Sequence, residues 1–189
     1  MHADLSLVSA LKLTYTHCIH STNQAEFTDM NIDSYFYAIA VSVHALAAVI
    51  WVGGMFFAYV SLRPVAARLL EPPQRLDLWA QTLKNFFIWV GLAIIILPAT
   101  GYWIIFSVYN GFAGVGWTIH LMHTLGLIMI LIFLHVYFAP FKRLRRAVEE
   151  ENFQEGAKNL AIIRKMVGIN LMIGIATFIT AIGLAHIPL

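Results

Sequence analysis

Four histidines, His44, His120, His123 and His135, stand inside stretches of sequence that hold no Asp, Glu, Lys or Arg. An ionisable ring in such surroundings marks a site by default, and a neutral imidazole offers one lone pair to a metal while its other nitrogen donates a hydrogen bond. His44, Ala47, Ala48 and Trp51 recur at i, i+3, i+4 and i+7, one face of a helix. Two methyl-sized side chains between an imidazole and an indole leave room for a flat ligand lying over the alanines and stacking near Trp51. Met55, eleven residues beyond His44, returns to nearly the same face roughly 16 Å further along. His120 and His123 are separated by about 60° around their own helix, so one can ligate a metal while the other binds a substrate or an acidic group of the ligand. The "HCIH" of residues 17 to 20 adds the donor types of a metal clip, His17, Cys18 and His20.

The elements that must position these rings follow from where charge is missing. The chain of 189 residues is 60% hydrophobic and 12% charged, the composition of a membrane protein. Three long blocks are free of acidic and basic residues: Asp33 to Arg63, Lys84 to Lys142, and everything after Lys165. The middle block is broken by "YNGFAGVG", where Asn110-Gly111 makes a turn between the aromatic anchors Trp103 and Trp117. At about 20 apolar residues per crossing, the expectation is an all-α, integral-membrane four-helix up-down bundle with spans near 35–62, 86–108, 117–139 and 166–187. Residues 35–189 then form one transmembrane domain. Residues 1–34 are a flexible arm without a basic leader, and Met30, just before the first span, is an alternative natural start.

Positive charge gives the orientation. Arg63, Arg68, Arg75 and Lys84 fall in the first connection, and Lys142, Arg143, Arg145, Arg146, Lys158, Arg164 and Lys165 in the third, so both termini face the outer, periplasmic side. The net charge of +2 needs no nucleic acid as partner; the partner is the lipid bilayer that the uncharged blocks imply, and the basic connections are topology signals that can touch anionic lipid headgroups. The single cysteine excludes an intrachain disulfide and a thiolate-held iron–sulfur cluster. Gly53, Gly54, Gly91, Gly101, Gly168, Gly174 and Gly183 are expected to let helices approach closely. Pro98 is expected to kink the second span, and Asn170 to hydrogen-bond across helices or to orient a ligand histidine.

Depth arithmetic puts His44, His120 and His123 in the outer half of the membrane, His135 roughly 18 Å inward of His123, and His186 at the outer surface. Spans one and three of such a bundle lie diagonally across the core. Two imidazoles gripping one metal need that separation, and haem has the required shape. The expected ligands are His44 with either His120 or His123; a second haem between Met55 and His135 is conceivable.

The stretch "HALAAVIWVGGMFFAYVSLRP" carries His44, Trp51, Gly53, Gly54 and Pro64 and resembles the first helix of the copper-resistance D (CopD) family of bacterial inner-membrane proteins. The resemblance extends more loosely over residues 35–187 and implies copper uptake or tolerance. The His44-to-Gly54 pattern is also similar to that of the HemJ-type protoporphyrinogen oxidases, which are associated with haem b. The chain departs from that group: "WTIHLMH" has no lysine, and Arg63 comes about one helical turn late. Those departures count against protoporphyrinogen oxidation and leave haem binding.

Two functions are therefore expected. One is a haem b electron-transfer protein with a bis-His site near the outer face, exchanging electrons with the quinone pool or another redox partner. The alternative is a copper-transport or copper-tolerance protein, since imidazole and thioether suit cuprous ion, with His44, Met55, His120, Met122, His123, Met129 and His135 as a ladder across the bilayer. An accessory subunit or homo-oligomer, its histidines reaching a cofactor in another chain, is a third arrangement.

Overall fold

The structure is a computed structural model that describes residues 34–183; His17, Cys18, His20, Met30 and His186 lie outside them. The chain divides into two compact units, Met1–Ser42 and Val43–Leu189, and the bundle is the second. Four long apolar helices build it: α1 (Ser34–Leu69, whose opening turns belong to the first unit), α2 (Pro72–Ser107), α3 (Trp117–Glu149) and α4 (Phe153–Ile182). No strand occurs among the described residues. The fold is all-α and the protein is a multi-pass membrane protein. Large apolar side chains such as Leu46, Ile88, Ile95, Leu131, Met172 and Ile179 face outward, which is the surface a lipid bilayer contacts.

The helices run much further at the basic end than the uncharged blocks imply. Charge keeps a segment out of hydrocarbon but does not stop a helix. The first connection shrinks to Leu70 and Glu71, because α2 starts at once. Pro72 stands at its first position, where the missing N–H costs nothing. A capping box joins Glu71 and Gln74, the Gln74 carbonyl accepting from the Glu71 N–H at 3.4 Å. Leu76, Trp79, Ala80 and Leu83 then bury one helical face. At the other basic connection α3 continues through Arg145–Glu149 and Arg146–Glu150 pairs. The chain reverses at Glu151 (φ 54°), and the Asn152 side chain caps α4 by accepting from the Glu155 N–H at 3.1 Å. Only the glycine-rich connection matches its expected length. Asn110 (φ 55°) and Gly111 (φ 105°) supply the left-handed turn, and Phe112–Gly114 adds a 3₁₀ turn.

α1 and α3 each contain a widened turn, Phe57–Leu62 and Tyr137–Phe141. The first ends two residues before Pro64 and the second contains Pro140. A proline in mid-helix removes one N–H and its ring collides with the carbonyl four residues back; a π-type turn relieves the collision.

The centre is aromatic. Phe133 meets Trp51 and Phe87 edge-on, with ring centroids 6.3 and 5.3 Å away, and Phe87 meets Phe141 at 4.8 Å. Such pairs each contribute about 0.5–1.5 kcal/mol beyond their buried area. Val90, Met129, Leu144 and Ile163 close the core around them. Gly54 lets the Phe86 ring lie against α1, and at Gly174 an added methyl would stand 2.8 Å from Val52. Gly53 and Gly91, by contrast, face open space, so the expected close approach belongs to only some of the glycines.

Candidate functional site

His44 is half-buried and leans on α2 just beyond Pro98, where the helix runs on unbroken. Its Nδ1 lies 2.8 Å from Thr100 Oγ1. The Thr100 hydroxyl gives its one proton to the Ile96 carbonyl at 2.7 Å. With Oγ1 acting as the acceptor toward the ring, the tautomer that fits this bond carries its proton on Nδ1 and leaves Nε2 as the lone pair. A ring oriented through one nitrogen and bare at the other is the arrangement that metal-ligating histidines use. Gly101 supplies the space: an added methyl there would stand 3.4 Å from the ring.

His120 and His123 are drawn into a different group. Phe112, thrown back by the turn at Gly111, stacks on His120 with ring centroids 6.0 Å apart and meets His123 edge-on at 5.3 Å. His123 Nε2 shares a hydrogen bond of 2.9 Å with the Tyr102 hydroxyl. Thr100 and Tyr102 both belong to α2, so His44 and His123 stand at nearly the same level, as the depth arithmetic expects. Residues two apart on a helix point about 200° from each other. The imidazoles are therefore held on different sides of α2, and no bis-His pair forms between His44 and either His120 or His123.

The place expected for the haem plane is filled. Ala47 and Trp51 are buried at 5% and 3% exposure, and the face they form is occupied by Trp51 against Phe133. Two small, partly open cavities lie further along the bundle, of about 10 and 30 Å³, against the roughly 300–1,000 Å³ of a site for an organic ligand. The residues present do not fit a haem between α1 and α3. Nor do Met55 and His135 meet: Met55 is 2% exposed in the core, whereas His135 is exposed on α3. Among the described residues no three His, Cys, Asp or Glu side chains come together as a metal cage.

Met55 has a partner that spacing could not identify. Asn170 of α4 donates from Nδ2 to the Met55 sulfur at 3.7 Å, and its Oδ1 is a buried side-chain acceptor without a hydrogen-bond partner. Both residues line the smaller cavity, together with Trp51. Thr100, Tyr102 and Phe112 are the positioning residues that the histidine pattern did not reveal, since each acts across helices.

Residues 80–184 match the family described as Copper resistance protein D. The chain belongs to the CopD family. The match covers most of α2 and all of α3, together with α4, and starts beyond the α1 stretch that carries the resemblance seen in the sequence. No curated protein and no solved structure matches the chain. CopD membership assigns the chain to copper-resistance proteins of the membrane, and the copper expectation is the one it favours over haem.

Proposed function

We propose that this chain handles copper within the membrane, with cuprous ion as its substrate. His44 offers a bare Nε2 on the half of α1 near the glycine turn, and Met55 offers a thioether on the same helix roughly 16 Å further along. That separation makes them successive stations for one ion. The observation that carries the reading is Asn170 Oδ1, an unpartnered acceptor beside a buried thioether. A soft monovalent cation takes thioether and imidazole ligands, and a buried carbonyl dipole without a donor is stabilised when a cation arrives. Trp51, which lines the same cavity, adds an aromatic face that attracts a cation. The bacterial inner membrane is the proposed location, with the basic end inward.

Purified protein in detergent should bind cuprous ion stoichiometrically, and proteoliposomes should accumulate it. Both activities should fall in His44→Ala and in Met55→Leu. A protein that is red as isolated, with a Soret band lost in His44→Ala, would replace copper by haem. A colourless protein with no cuprous affinity would end the copper reading.

A further inference from the structure

The other cavity, of about 30 Å³, has a different character. Arg63 of α1 and Arg164 of α4 line it, over a floor that includes Tyr59, Trp79 and Leu83. The Arg63 guanidinium lies 5.1 Å above the Tyr59 ring, and Tyr59 is seated against α4 where an added methyl at Gly168 would stand 3.0 Å from its ring. Arg75 of α2 stands one helical turn before Trp79, which lines the cavity, and its charge and that of Arg63 both act on Arg164. Of the Lys and Arg side chains described, these three are half-buried, and all the others are exposed.

Among the described residues none of the three is paired with a carboxylate. The ion pairs among the described residues are Arg145–Glu149, Arg146–Glu150 and Lys158–Glu155, none of which includes Arg63, Arg75 or Arg164. Three helices thus bring like charges to one partly desolvated place, an arrangement that costs stability unless an anion completes it. The depth is informative too. Arg63 ends the first uncharged block and Arg164 stands just before the last, so the cluster sits at the boundary between hydrocarbon and water, the level of phospholipid phosphates. Guanidinium forks match a tetrahedral oxyanion in two-pronged fashion.

We propose that Arg63, Arg75 and Arg164 form a binding site for a phosphate group at the membrane boundary, supplied by an anionic phospholipid headgroup or by free phosphate. The site is independent of copper handling, and its failure leaves the cuprous-ion experiments untouched.

The test uses the full chain, its Arg63→Gln/Arg164→Gln variant, and Arg145→Gln/Arg146→Gln as a control with equal loss of charge at the same end. Thermal unfolding is followed in neutral detergent alone, with inorganic phosphate added, and with phosphatidylglycerol or phosphatidylcholine added. In neutral detergent alone the Arg63/Arg164 variant should unfold at or above the wild-type midpoint, because repulsion is relieved. With the phosphate source the order should reverse, apparent affinity falling at least about tenfold, while the control follows wild type. Stabilisation by phosphatidylglycerol but not inorganic phosphate identifies a lipid headgroup; stabilisation by both identifies a general phosphate site. Equal loss in the two variants, a response to phosphatidylcholine as large as to phosphatidylglycerol, or no response to either phosphate source would overturn the proposal. So would a midpoint lowered to the same extent in every condition, the mark of a purely structural role.

Discussion

Replacing Asn170 by leucine should make the resting protein more stable and a poorer binder of copper. Asn170 is 3% exposed, and its Oδ1 has no donor. A buried acceptor left open costs about 1–3 kcal/mol. The compensating bond from Nδ2 to the Met55 sulfur is long, at 3.7 Å, and hydrogen bonds between helices in membranes contribute only about 0.6 kcal/mol on average. Leucine keeps the branching at Cγ, and the adjoining cavity of about 10 Å³ gives its methyl groups room. The difference favours Asn170→Leu by about 1 kcal/mol, a rise in thermal midpoint of about 2–4 °C for a chain of this size. Tryptophan fluorescence during heating in detergent measures it, and a parallel titration with a cuprous chelator measures affinity, which should drop. A midpoint lowered by several degrees would mean that Oδ1 is already partnered in the resting state. An unchanged cuprous affinity would remove Asn170 from the site.

Thr100→Val keeps the shape of the side chain and removes the acceptor that fixes the His44 ring; cuprous affinity should fall about 10–100-fold with the helical circular dichroism unchanged, and an unaltered affinity would refute the assigned tautomer. Gly54→Ala places a methyl against the Phe86 ring and should destabilise by about 1–3 kcal/mol, read as a lower unfolding midpoint. Its neighbour Gly53 has nothing near the same position, so Gly53→Ala should gain up to about 0.5–1 kcal/mol from helix propensity; similar losses at both positions would refute the packing assigned to Gly54.

Some of this was legible in the sequence because it depends on one segment at a time. Uncharged blocks locate the four crossings, and Asn110-Gly111 announces its turn through the chemistry of positive φ. The level shared by His44 and His123 follows from counting residues. What counting cannot supply is rotation about each helix axis: a periodic pattern says which residues share a face, not which neighbour that face meets. His44 therefore has the expected depth and an unexpected companion, Thr100, 56 positions away. Gly53 and Gly54 look alike for the same reason, since only the position of Phe86 separates them. The extended helices at the basic end were missed on different grounds. The Glu71-to-Gln74 cap was present in the sequence, but a reading based on charge treats every basic stretch as a connection.

Charge itself divides in a way that a topology rule does not anticipate. α2 is 36 residues long, about 54 Å, against about 30 Å of hydrocarbon, so the excess must pack outside the apolar layer. It does so at the basic end, where Leu76, Leu144, Leu160 and Ile163 are buried. On the outer surface of that extension Arg145 and Arg146 meet glutamates one turn along their own helix, at 3.6 and 2.8 Å, and such exposed pairs contribute little. Arg63, Arg75 and Arg164 come from three different helices and form no ion pair among the described residues, and only the packed extension holds them at one place. A rule that counts positive residues scores both sets alike as markers of sidedness. Burial separates them: the first set satisfies itself, and the second is complete only when something negative is brought to it.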